Sequence, residues 1–461
     1  MTASALMDRE TAADSASPAE AAINKRPADF GKGQGAAERE AVPGNEPDYG
    51  VRDADQPKLP VRLGLGLLVG PACWMLAYVG VSATLLPAKL DFFAPDQKVA
   101  LIPLFSTIAM VAATISNIIA GALSDVTRTR FGSRSPWIVG ASFACALMFV
   151  WLAFSSTWPM LLVTWTLYNV ALNCVTAPMI AQLSDRIAPR WRGTVSSFWG
   201  IGMAIGNYGS GLIAAHFIAD NAAATTGVLI FAVIAAVGGV VSPLIMHEPS
   251  NRGVARTAFD RDAIKRYFMF PTRNCRDYYL ALAGKMLMVT GQYVIVGYQL
   301  YIFSDYMRLD DAGQTAAIST MSLILMITGI VFCVIAGPLS DRFHRIKAPV
   351  AVTTIMLGVG AFFPFFAAQP WTMYAYALIA GIGMGAYNAV DQALNVAVLP
   401  DPKTAAKDLG IINMANTLGQ VFGPAIAGLV ITTLGYRAMF PVETVICVIG
   451  GLLILAVKRV R

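Results

Sequence analysis

Residues 121–137 read Gly121-Ala-Leu-Ser-Asp125-Val-Thr-Arg128-Thr-Arg130-Phe-Gly132-Ser-Arg134-Ser-Pro136-Trp137 and lie between two long apolar runs. Three arginines and an aspartate so close together belong in water, so the stretch is a hinge between two membrane spans. A degenerate echo follows 216 residues later, Gly337-Pro-Leu-Ser340-Asp341-Arg342-Phe-His-Arg345-Ile-Lys347-Ala-Pro349. Gly, Leu, Ser and Asp recur in the same order, and a proline again opens the next apolar run. One short loop, used twice, divides the chain into two related halves.

The rest of the chain agrees. Of its 461 residues 56% are hydrophobic and 13% charged, against about 25% charged in soluble domains. That composition describes a polytopic, all-α membrane protein. No catalytic triad, metal cluster or nucleotide-binding loop emerges, so an enzyme is not expected, nor is a cofactor or a metal site. Net charge is +6, but residues 1–60 hold 7 Lys/Arg against 11 Asp/Glu. The basic excess therefore belongs to loops that flank the membrane, and no nucleic-acid partner is implied. Six cysteines without C-x-x-C spacing read as packing residues.

Residues 1–57 lack any apolar run and read as a disordered cytoplasmic tail without signal-peptide features. Apolar runs long enough to cross a bilayer follow at 62–86, 99–123, 136–155, 159–183, 194–217, 224–246, 278–303, 315–337, 349–368, 371–398, 409–433 and 440–457. Inside lipid the backbone must satisfy its own hydrogen bonds, so each is a helix. Alternate connections carry 21 Lys/Arg, and the opposite ones hold Lys89, Lys98, Arg308 and Arg437. The positive-inside rule then puts both termini and the long middle loop in the cytoplasm. The expected domains are a six-helix bundle over 58–246, a linker over 247–277 and a second six-helix bundle over 278–461. A second internal repeat supports the duplication: Tyr168-Asn169-Val-Ala-Leu-Asn173 in the fourth span is matched by Tyr387-Asn388-Ala-Val-Asp391-Gln392 in the tenth, 219 residues on. Two six-helix repeats imply a secondary transporter with its site at the repeat interface.

Twelve spans, a six-plus-six division and the pattern G-x-L-S-D-x-x-R-x-R-x-G-x-R after the second span resemble the major facilitator superfamily. The hinge is most similar to that of glycoside–pentoside–hexuronide cation symporters and plant-type sucrose transporters. The resemblance implies two pseudo-symmetric bundles that rock about a central cavity, with the hinge residues Gly121, Asp125, Arg128, Arg130, Gly132, Arg134, Gly337, Asp341 and Arg342 as the gate. It would bring Asp125 near Leu409–Ile411 when the cytoplasmic side is closed, where a helix N-terminus favours a carboxylate by about 0.3–1 kcal/mol. The arginines could add pairs between the halves or meet anionic lipid headgroups, and Ser135 and Pro136 read as N-cap and N1 of the third helix. There are departures: Val126 replaces the usual Arg, Ser133 replaces a third basic residue, and the second span holds no acid. The last of these points away from sodium and towards a proton gradient.

Two ionisable residues lie well inside the spans, Lys285 and Asp391. A charge there costs about 2.5–3.5 kcal/mol on insertion scales and needs a cavity or a partner. Lys285 sits about 10 Å above the cytoplasmic start of its helix and Asp391 about 13 Å above the end of its own, at 1.5 Å per residue. The matching depths predict a pair, with Asp391 as proton carrier and Lys285 as its partner. Glu443, near the outer end of the last helix, is expected to touch water.

In this family the first, fourth, seventh and tenth helices line the cavity. The expected substrate contacts are Trp74, Tyr78, Tyr168, Asn169, Asn173, Gln292, Tyr293, Tyr387, Asn388 and Gln392, with Trp165, Tyr298, Gln299, Tyr301 and Asn395 on the same helices. Aromatic faces and amides suit a sugar, since an amide both donates and accepts. Gly200, Gly202, Gly206, Gly209 and Gly211 predict close packing of the fifth helix. The expectation is a monomeric symporter in the cell (inner or plasma) membrane, whose partners are the bilayer and a small-molecule solute, a sugar or glycoside. The alternatives are a proton-driven efflux antiporter for drugs, bile-salt-like amphiphiles or metabolites, and a transporter-derived sensor or lipid-handling scaffold.

Overall fold

The computed structural model describes residue 51 and residues 53–253, 271, 275–343, 346–400 and 405–458. The expected tail therefore falls almost wholly outside the described residues. So does much of the expected linker.

Twelve long helices make up the described chain: α1 (Val61–Phe93), α2 (Lys98–Val126), α3 (Ser135–Ala153), α4 (Trp158–Arg186), α5 (Pro189–Ala214), α6 (Asn221–Met246), α7 (Arg276–Val296), α8 (Asp311–Phe343), α9 (Lys347–Ala361), α10 (Pro370–Ala397), α11 (Ala405–Leu434) and α12 (Met439–Leu455). Ten of the twelve contain a window long and apolar enough to span a bilayer; α5 and α10 do not. Glycines and Asn207 dilute α5, while three glycines, Tyr387 and Asn388 dilute α10. Both are held by neighbours as well as by lipid.

Large apolar side chains face outward in helical register. Val111, Ile115 and Ile119 of α2 are more than half exposed, as are Val233 and Val237 of α6. Water would not tolerate so continuous an apolar surface. Lipid is its natural solvent.

The helix contacts show the duplication directly. In the first half α1 packs on α5 and α6, α2 on α4, and α3 on α4 and α6. In the second half α7 packs on α11 and α12, α8 on α10, and α9 on α10 and α12. Adding six to each helix number of the first set gives the second. The two principal contacts between the halves, α2 with α11 and α5 with α8, are each other's counterparts.

Two glycines set the closest approaches. A Cβ on Gly202 would strike the Leu68 carbonyl of α1, and one on Gly385 of α10 would strike the Gly329 carbonyl of α8. Small residues are how membrane helices approach without a side chain between them.

The first helix of each half departs from the simple rods expected. α1 widens into a π turn at Val81–Leu85, and α7 ends at Val296 before a short turn and a π turn at Ile302–Tyr306. Pro87 explains the first: it cannot donate to the Ala83 carbonyl and its ring crowds that turn, so the wider turn relieves the clash. Met307 N–H closes the second by donating to the Ile302 carbonyl at 2.9 Å.

Candidate functional site

The two ends of the bundle are built differently. The hinge side carries residues 127–134, and the far side is opposite.

At the hinge, Arg134 is the organiser. Its guanidinium donates to Asp185 at 3.0 and 2.8 Å and to Ser124 Oγ at 2.6 Å, and it pairs with Asp125 at 2.5 Å. Burial disfavours its charge, but Asp185 and Asp125 outweigh that and raise its pKa above the ordinary arginine value. All these partners lie in the first half, so among the described residues Arg134 makes no inter-half pair.

Glu248, just beyond α6, accepts from the backbone N–H groups of Ser133 (2.9 Å), Arg134 (3.1 Å) and Ser135 (2.7 Å). This corrects the expected cap. The N-cap of α3 is Arg134 without a capping bond of its own, Ser135 already lies inside the helix, and its hydroxyl has no partner among the described residues. A carboxylate from a neighbouring helix end does the work, favoured by the helix dipole. Gly132 permits it: its φ is +87° and the Glu248 side chain fills the space a Cβ would need.

Arg128 bonds its own loop carbonyls of Asp125 and Thr127, and Arg130 lies over the Phe131 ring. No described residue would meet a Cβ on Gly121 within 4 Å. The side-chain surroundings of Gly337, Asp341 and Arg342 lie outside the described residues. Two expected boundaries also move. Gln56, assigned to the tail, bonds the backbone of Arg186 and Ala188, and Glu248 and Asn251, assigned to the linker, belong to the hinge.

On the far side the halves are fastened to each other. Lys98 of α2 reaches Asp91 at 2.7 Å and, across the interface, Asp305 at 2.8 Å. Tyr436 donates to the same Asp305 at 2.9 Å. Tyr298 donates to the Val99 carbonyl and Tyr301 to the Pro87 carbonyl, each at 2.8 Å, and Thr315 to that of Ala215 at 2.9 Å. Tyr298 and Tyr301, placed by sequence with the cavity, thus join backbone across the halves instead. These bonds between the halves lie on the far side of the central chamber.

That chamber, a cavity of about 50 Å³, lies between α1, α2, α4, α7 and α11. Its polar lining is Tyr78, Ser82, Ser106, Trp165, Tyr293 and Gln420, and its apolar lining includes Leu86, Leu90, Ile102, Phe105 and Met110. Tyr78 stacks on Trp165 (centroids 5.8 Å apart) and donates across the halves to Gln420 at 3.3 Å. Trp165 is backed by Tyr168, which in turn stacks on Phe149 at 4.0 Å. A continuous ladder of rings holds one wall rigid.

Of the expected contacts, Tyr78 and Tyr293 line this chamber. Tyr168 stands behind it, and Trp74 packs against Trp199. Asn169 donates to the Trp165 carbonyl of its own helix, and Asn173 donates to Asn169 and accepts from Asn117. Gln292 is half-buried and Asn388 exposed, and the Gln392 side chain lies outside the described residues. Sequence reasoning missed Gln420, whose signal was an amide inside the apolar eleventh span, and the small hydroxyls Ser82 and Ser106.

Lys285 and Asp391 meet in the second half. Nζ stands 2.6 Å from Oδ2, both residues are buried, and Asn395 donates to the same oxygen at 2.9 Å. Tyr387 lies one turn before Asp391, buried, with its hydroxyl close enough to interact with that carboxylate. Removing one member of a buried pair costs about 3–5 kcal/mol, so this contact strongly links α7 to α10. Glu443 contradicts the expectation of water contact: it is fully buried, and neither carboxylate oxygen has a partner among the described residues.

Comparison with known proteins agrees with this architecture. The family model described as Major Facilitator Superfamily matches residues 70–350 and 280–461. The chain is 26% identical over 136 residues to the Vacuolar basic amino acid transporter 1 of Saccharomyces cerevisiae; the match spans 30% of this chain and 24% of that protein's length. Among solved structures, a bacterial homologue of the human lysosomal transporter Spinster, inward-facing and unoccupied, superposes with a TM-score of 0.66 at 13% identity, covering 87% of this chain and 98% of that one. The nucleoside transporter NupG gives 0.65 at 14% identity, covering 86% and 99%. At such identities the superpositions speak for the fold, and the family match covers nearly all the helices described above. The chain belongs to the Major Facilitator Superfamily and is a membrane transporter of that type.

Proposed function

We propose that the chain imports a neutral sugar or glycoside across the cell membrane by proton symport, in the manner of the glycoside–pentoside–hexuronide branch that its hinge resembles. The hinge side is then cytoplasmic, as the distribution of arginines and lysines requires. The fastened far side corresponds to an inward-facing state.

The chamber lining carries the reading. Among the described residues it contains no Asp, Glu, Lys or Arg, yet it joins a stacked Tyr78–Trp165 pair to the Gln420 amide. An uncharged wall offers no ion pair to a basic amino acid or an organic cation. Aromatic faces take the C–H face of a sugar ring, and the amide and hydroxyls take its hydroxyls. The apolar remainder of the lining suits a glycoside with an apolar aglycone.

Coupling falls to Asp391. Its 2.6 Å contact with Lys285 is the arrangement of a carboxylate against an ammonium, the state the cycle needs after release to the cytoplasm. Protonation would part it from Lys285 and loosen α7 from α10, both of which move when the halves rock.

The test is uptake by proteoliposomes with an inside-alkaline gradient, using labelled sugars, aryl glycosides and amphiphilic cations. Accumulation of a sugar or glycoside that collapses with the gradient is expected. Movement of cations alone, in exchange for protons, would favour efflux and sink the import reading.

A further inference from the structure

Glu443 stands apart from both the chamber and the Lys285–Asp391 pair. It lies in the second turn of α12, at 0% exposure, with both oxygens lacking a hydrogen-bond partner among the described residues. A Cβ added to Gly291 of α7 would meet its Cγ at 3.6 Å. From α10 Tyr376 faces it, and from its own helix Cys447 does so one turn on. From α9 the nearby group is the Gly358 carbonyl, already taken by Thr444 at 2.8 Å. No cation approaches it from these elements. A carboxylate left bare in such a place costs several kcal/mol, and the group takes up a proton instead.

Its position says when that proton can move. Immediately before α12, Tyr436 donates to Asp305, the residue that receives Lys98 from the other half. One helix turn inward, the Phe440 ring packs on Tyr306 with centroids 5.5 Å apart. Through Phe440, one turn before Glu443, the start of α12 thus rests on the same segment 299–306 that the far-side bonds of Tyr301 and Asp305 hold. When those bonds part, this cover over the start of α12 is free to loosen, which would open a path for far-side water to Glu443.

We propose that Glu443 is a second proton-binding site. It is occluded as a neutral carboxylic acid while the far side is closed, and it exchanges one proton with far-side water when that side opens. The proton sits on one carboxylate oxygen and passes to or from water, so the step needs no other reactant. The site is independent of the role given to Asp391, and its occupancy can be read without any transported solute.

Dicyclohexylcarbodiimide adds across its C=N bond to protonated carboxyls in apolar surroundings, leaving an acylurea. On the full chain in lipid nanodiscs, peptide mass spectrometry should find the adduct on Glu443. Its yield should fall several-fold as pH is raised and rise several-fold in Lys98→Ala, where the cover is loosened. A parallel infrared titration should show a protonated-carboxyl C=O band that is lost in Glu443→Gln and kept in Asp391→Asn. A band that titrates and responds to Lys98→Ala supports the site even if the reagent cannot enter. A band or adduct indifferent to both pH and Lys98→Ala, or the absence of both signals, overturns it.

Discussion

Lys98 of α2 stands 2.8 Å from Asp305 in the π turn that follows α7, and this contact ties the first half to the second on the side opposite the hinge. The pair is shared: Asp91 also holds Lys98, Tyr436 also holds Asp305, and the lysine lies over the Tyr301 ring at 4.6 Å.

Lys98→Ala should therefore favour the far-side-open state. A hydrogen bond between charged groups contributes about 1.5–3 kcal/mol, so the open population should rise about tenfold or more. Distances between spin labels on the far-side ends of α2 and α8 would report it, with a longer component gaining weight. Asp305→Asn should act in the same direction and be less than additive with Lys98→Ala, because both break one contact.

Glu248→Ala should unfasten the start of α3. Three backbone N–H groups lose their acceptor, with an expected cost of about 1–2 kcal/mol. The melting temperature in detergent should fall, and Glu248→Gln should recover part of the loss by keeping an acceptor. An unchanged melting temperature in Glu248→Ala would show that water caps α3 equally well.

A Cβ on Gly121 would meet no described residue within 4 Å in this state, so Gly121→Leu should fold and melt like the parent. If the N-terminus of α11 closes on the hinge when the far side opens, the same leucine should obstruct that closure and slow turnover by about tenfold or more, the effect of roughly 1.4 kcal/mol on a barrier. Normal turnover with normal stability would show that α11 does not approach Gly121.

Much of this could be read before any coordinates. Charge is costly in lipid and helix rise is fixed, so the depths of Lys285 and Asp391 followed from counting residues. The hinge and its echo likewise divided the chain. What stayed hidden depends on rotation about helix axes. Helices such as α3 and α12 are apolar on every side, so their periodicity carries no phase, and nothing told that Glu443 points inward while Val445 faces lipid. The Glu248 cap, the Lys98–Asp305 contact and the Tyr78–Gln420 bond join residues more than a hundred positions apart. Asn169 looked like a cavity amide, but its own helix backbone satisfies it. The π turn before Pro87 had a visible cause in the proline; the one at Ile302–Tyr306 has no such marker.

The central claim, that Asp391 carries the coupled proton, is tested most directly by Asp391→Asn in proteoliposomes, once size-exclusion shows the variant folded. Asparagine keeps an acceptor for Lys285 but cannot bind a transportable proton. Solute exchange without a gradient should persist at near-parental rates, while accumulation driven by an imposed pH gradient should be abolished. Gradient-driven accumulation at the parental level would contradict the account.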